Sequence, residues 1–237
     1  MTSALQTAPA VPSGVAGVAG PVPVQRPVPV PVQRTVLGID TDRPGTGRAD
    51  HLLVDLAAFL PAGTLACTHL VRGADLVEGE DPHVSVSVDV PGRVDPAVVD
   101  RVGATFGRRP LVVELLADDG VRISDDDAAA GSRLAVSEAL TGCGGRAVLF
   151  PGSVALTGAV TVGEVLARSA VDRVVDLTGT DIDADVTVRT RDFVRPRHVG
   201  RRLELTVQPA RGGMVVPFED PDPTPCCAVH AVPRDQT

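Results

Sequence analysis

Seven residues, Val84-Ser85-Val86-Ser87-Val88-Asp89-Val90, set the strongest limit on the fold. A β-branched side chain at every second position suits a pleated strand, whose side chains alternate between two faces. A helix would scatter those valines around its circumference. The alternation predicts a strand with one buried and one wet face. A helix over residues 95–106 should follow: Asp95 can cap it, Pro96 fits its first position, and Gly107 suits the left-handed turn past its end.

The same reading extends along the chain. Strands are expected at 35–39, 64–71, 111–117, 146–150 and 173–177, and helices at 51–60, 127–140 and 162–170. Asp50 is the expected N-cap of the first helix and Pro61 its stop. Leu65, Cys67, His69 and Val71 should share a strand face. From residue 186 the pattern turns to β, with strands at 186–194, 202–208 and 214–218, the last two joined by a Pro-Ala-Arg-Gly-Gly loop at 209–213. The fold class is α+β, with a mixed α/β middle and a β-rich C-terminal third. We expect one compact domain over 35–237, with a possible sub-boundary at 180–186.

Residues 1–34 stand apart. Residues 14–20 read GVAGVAG and residues 21–34 read PVPVQRPVPVPVQR. Alternating proline blocks helix and sheet and favours an extended polyproline-like chain, so a disordered Pro/Val/Gly-rich tail is expected. Such a tail is a spacer, an unselected terminus, or a docking segment for a protein partner.

Composition removes several kinds of chemistry. All 22 basic residues are Arg, and there is no Lys, Asn, Tyr or Trp. That excludes a Schiff-base lysine and a phosphate-loop lysine. It also serves base stacking poorly. A net charge of −8 and a pI of about 5.0 argue against nucleic acid and anionic membranes as partners. The most apolar stretch, 147–163, is broken by Pro151 and several glycines, so no membrane span is expected. The first 25 residues carry no side-chain charge, unlike a secretory signal. The expectation is a soluble, cytoplasmic protein with its four cysteines reduced.

Two clusters carry candidate chemistry. Thr224-Pro225 can start a short helix that Pro233 ends, which puts Cys226 and Cys227 in its first turn and His230 one turn further on. The helix dipole there favours a thiolate, and a thiolate beside an imidazole suits metal binding, redox exchange or nucleophilic attack. Cys67 and His69, two apart on a strand, could complete a tetrahedral zinc set with them. Adjacent cysteines seldom ligate one ion, however, and a cysteine on an apolar face also serves as plain core. Cys143, at a helix C-terminus, is no candidate nucleophile.

The second cluster is basic. Arg189, Arg191 and Arg195 would share a face of the strand at 186–194 and could bind an anion through their guanidinium forks. Alternatively, Asp172, Asp176, Asp181, Asp183 and Asp185 lie upstream to pair with them. Asp40-Thr41-Asp42 reads as a polar turn. Residues 181–186 lack the glycine of a calcium loop. No dinucleotide, α/β-hydrolase or zinc-protease motif is present. The sequence thus points to a metal- or thiol-dependent protein centred on Cys226, Cys227 and His230. The alternative is a non-enzymatic interaction module that docks through its Pro-rich tail. Whether it is an enzyme stays open.

Overall fold

The computed structural model describes residues 32–76, 81–125 and 127–221. Its first half runs β1 (Val32–Arg43), α1 (Thr46–Leu56), β2 (Leu65–Val71), β3 (His83–Pro91), α2 (Pro96–Phe106) and β4 (Leu111–Leu116). In space these strands lie in the order β4-β1-β3-β2, and every neighbouring pair is antiparallel. This connectivity is the split β-α-β, or ferredoxin-like, motif. The expected features of α2 are all present: the Asp95 side chain accepts from Ala97 N at 2.8 Å, Pro96 opens the helix, and Gly107 closes it at φ 68°.

The chain then adds β5 (Val121–Ile123), α3 (Ala130–Thr141) and β6 (Arg146–Leu149). A β-rich segment completes it: β7 (Ala159–Thr161), α4 (Val162–Arg168), β8 (Arg173–Val175), β9 (Thr187–Arg189), β10 (Arg197–Val199), β11 (Arg202–Pro209) and β12 (Val215–Pro217). Among the described residues the strands form one mixed sheet, β5-β4-β1-β3-β2-β6-β10-β11-β12-β9-β7, with β8 parallel to β11. The fold is therefore mixed α+β and strand-rich. No helix among the described residues is long and apolar enough to cross a membrane.

Helices cover both faces of the first-half sheet. Val84, Val86, Val88 and Val90 of β3 pack with Leu53 and Leu56 of α1 and Val102 of α2. On the other face, α3 lies against β1 and β4 through Val36, Leu111, Val113 and Val136. The approach is close: a Cβ on Gly38 would sit 2.3 Å from the Ser132 carbonyl oxygen, so β1 needs glycine there. A third cluster joins β6 to the β-rich segment. It includes Ala147, Leu156, Val174, Val188, Leu205 and Val207, and so spans both sides of 180–186.

Three local expectations need correction. The polar face of β3 is not wet: Ser85, Ser87 and Asp89 are at most 9% exposed. Alternation reports which side chains share a face, and α3, some forty residues downstream, decides that this face is covered. Second, α1 starts at Thr46 with Gly45 before it, so Asp50 is not a cap but a buried residue inside the helix. Third, the strand expected over 186–194 ends at Arg189. Arg191 and Asp192 turn through left-handed backbone, at φ 55° and 54°. Gly158 N donates to Asp192 Oδ1 at 2.9 Å and Thr190 Oγ1 donates to the Gly158 carbonyl at 3.0 Å, which fixes the turn.

Candidate functional site

The turn after β9 dissolves the expected Arg189–Arg191–Arg195 face. Arg189 is exposed on β9. Arg191 donates to Asp220 at 2.6 Å. Arg195 goes elsewhere, into a cleft of about 680 Å³ between α1 and the β-rich segment. Its walls include Asp50, His51, Phe193 and Phe218, and Pro221 stands at one edge.

Buried charge makes up the cleft floor. Arg146, the first residue of β6, donates through Nη1 to Asp50 Oδ1 at 2.7 Å and through Nε to Glu219. Arg195 donates through Nε to Asp50 Oδ2 at 2.9 Å. One carboxylate therefore serves two guanidiniums. Arg197 takes the second oxygen of Glu219 at 2.8 Å. The side chains of Arg146 and Asp50 are 10% and 8% exposed. Phe193 underlies both cations, 4.2 Å from Arg195 and 5.7 Å from Arg146, in the range of a cation–π contact. Burial works against the charge on Arg146, but the hydrogen bonds it donates to Asp50 and Glu219, together with their charges, outweigh it and raise its pKa.

This arrangement leaves donors free. The Nη2 groups of Arg146 and Arg195 have no hydrogen-bond partner among the described residues, yet neither is sealed from solvent. Around them the cleft lining holds two arginines, Arg146 and Arg195, and three carboxylates, Asp50, Glu219 and Asp220, the last paired with Arg191. The open guanidinium edges suit an oxyanion. Arg195 belongs to the basic cluster read from the sequence. Arg146 and Asp50 were missed: one opens a strand, the other sits inside a helix, and nothing local links them.

The second cluster lies beneath α3. Cys67 and His69 do share a face of β2, and a Cβ on Gly145 would meet both. His69 Nδ1 donates to Glu138 Oε2 at 2.6 Å, and its Nε2 is hydrogen-bonded to Ser87 Oγ at 2.8 Å. Serine, imidazole and carboxylate are thus joined in the order of a nucleophile, its base and the group that orients the base. But Ser87 is only 1% exposed in mid-strand, paired with Gly38 on one side and Cys67 on the other. An acyl substrate has no approach to it, and the network is an interior one.

Both groups proposed there as zinc ligands are engaged or neutral. His69 uses both ring nitrogens. Burial, helped by the charges of Asp89 and Glu138, pushes the Cys67 thiol up to about 12. His198 of β10 lies nearby with Nδ1 buried and unpaired. Burial first, and the His69 charge second, lower its pKa below 6.5. Among the described residues no group of three or more His, Cys, Asp or Glu side chains is placed to hold a metal ion. Cys226, Cys227 and His230 lie outside the described residues.

Compared with known proteins, the chain matches no family model, no curated protein and no solved structure.

Proposed function

We propose that this chain is a binding protein for a small ligand that carries a carboxylate or phosphate group, seated in the cleft floored by Arg146 and Arg195. One observation supports this reading above the others: two guanidiniums that line a cleft of about 680 Å³ are anchored by a shared buried carboxylate and keep Nη2 groups without a hydrogen-bond partner among the described residues. Anchoring fixes the donors before the ligand arrives, so little side-chain entropy is lost on binding. Phe193 and Phe218 supply apolar wall for the rest of such a ligand.

The experiment is a thermal-shift and titration series on the full chain with inorganic phosphate and simple mono- and dicarboxylates. A ligand that binds the folded state raises the melting temperature by mass action. Arg195→Ala should abolish that rise. Arg168→Ala, which alters an exposed pair on α4 outside the cleft lining, should leave it intact. Absence of any response at millimolar concentration, or an equal response in Arg195→Ala, rejects the reading.

A metal- or thiol-dependent role gains support from where the described chain leaves the fold. Pro221 lines the cleft and Cys226 follows five residues later. An extended segment of that length reaches about 17 Å. A tether of that length is long enough to bring Cys226 to an anion held by Arg195. Elemental analysis of untagged protein, with Cys226→Ser and His230→Ala alongside, tests this: near-stoichiometric zinc lost in both variants supports it, and metal-free wild type refutes the zinc form.

A further inference from the structure

An apolar groove of about 470 Å³ runs between the β4–β5 hairpin and α3, walled by Leu111, Val113, Val121, Ile123, Val136 and Leu140. Val121 and Ile123 are 58% and 52% exposed, on a strand that forms the edge of the sheet. Folded chains rarely leave an apolar edge strand open, because it templates association. Something of complementary chemistry should cover it.

We infer that the occupant is this chain's own Pro/Val segment, residues 21–29. Three observations place it there. The first is where the described chain begins. Val32 pairs with Leu116, and the next row runs Arg34, Leu115, Val121 across β1, β4 and β5. Arg34 Nη2 also donates to the Ala139 carbonyl near the end of α3, at 3.1 Å. The chain therefore emerges two strand spacings, about 10 Å, from the groove mouth at Val121 and Leu140.

The second is chemistry. In PVPVQRPVPVPVQR every second residue of the 27–31 stretch is proline, which brings no N–H to leave unpaired against an apolar wall. A polyproline-type segment is already extended and loses little entropy on docking. The third is register. About three residues at 3.1 Å each cross from Val32 to the mouth, so residue 29 reaches Val121. Arg26 then lies about 9 Å along the groove, within side-chain reach of Asp125, roughly 13 Å from Val121 along the strand direction. Asp125 lines the groove, as does Arg133 of α3. In this register Arg26, the one charge in the segment, comes level with the carboxylate of Asp125.

Photo-crosslinking of the full chain tests this. p-Benzoylphenylalanine replaces Val28 in one sample and Gln25 in another, each prepared as a mixture of isotopically light and heavy protein. Crosslinks within one chain to residues of β5 or α3, lost in Ile123→Asp, are the expected result. Ile123 is half exposed, so that variant should keep its circular dichroism and melting temperature. Crosslinks between light and heavy chains would assign the groove to a second copy and overturn the inference. Crosslinks elsewhere, or none from either position, would overturn it as well.

Discussion

Asp50→Asn is the substitution that most directly tests the charged floor of the cleft. The change keeps the shape of the side chain and removes its charge. Arg146, with a side chain 10% exposed, and Arg195, at 13%, both lose their shared counter-ion. Glu219 still holds Arg146, but Arg195 keeps only the Val194 carbonyl at 3.1 Å and the Phe193 ring. Breaking a buried pair by removing one partner costs about 3–5 kcal/mol. For a chain of this size that is a fall in melting temperature of about 6–20 °C. Arg146→Met should cost less, about 1–2 kcal/mol, because Asp50 retains Arg195 and Glu219 retains Arg197. The chain has no Trp or Tyr, so urea unfolding is followed by far-ultraviolet circular dichroism. Equal denaturant slopes would show that stability alone has changed. A loss below about 1 kcal/mol for Asp50→Asn would mean that the pair is solvated like a surface ion pair, and the reasoning fails. So would an Arg146→Met cost above that of Asp50→Asn.

Other consequences follow from the interior beneath α3. Gly38→Ala places a Cβ 2.3 Å from the Ser132 carbonyl, so it should destabilise by about 1–3 kcal/mol, against the small gain usual for Gly→Ala; unchanged urea stability would show that α3 does not pack there. Cys67, held as a thiol near 12, should resist alkylation in the folded protein at neutral pH while exposed Cys143 reacts, as peptide mapping will show. His198 binds its proton less readily folded than unfolded, so the unfolded state takes up more protons below about pH 6.5 and stability falls as pH drops through that range. Replacing His198 with Gln should flatten this part of the stability curve, and an unchanged slope would assign it to other groups.

Features set by neighbouring residues were legible in the sequence. The cap, first proline and closing glycine of α2 are a local code, and so is the alternation of β3. The pairing of Cys67 with His69 on one face follows from strand period alone. What failed depended on distant partners. Asp50 reads as a helix cap until Arg146 and Arg195, about a hundred and a hundred and fifty residues away in the chain, claim its carboxylate. Ser87 reads as solvent-facing until Glu138 and His69 enclose it. The three-arginine face failed for a different reason. Two consecutive residues in left-handed backbone, Arg191 and Asp192, ended the strand, and neither is a glycine that would have announced the turn.

The two-sided burial of β3 has a consequence for how the chain is made. The β-α-β-β-α-β unit is complete at Leu116, whereas α3 starts only at Ala130. A chain emerging N-terminus first can assemble that unit before its second cover exists. During that interval the uncovered face offers water Ser85, Ser87, Asp89 and His69 beside the apolar Val36, Leu111 and Val113, while the valines of β3 already pack on α1 and α2. A face of valines would have been an aggregation hazard at that stage. The serines let one surface serve as an exterior during synthesis and as an interior once α3 arrives.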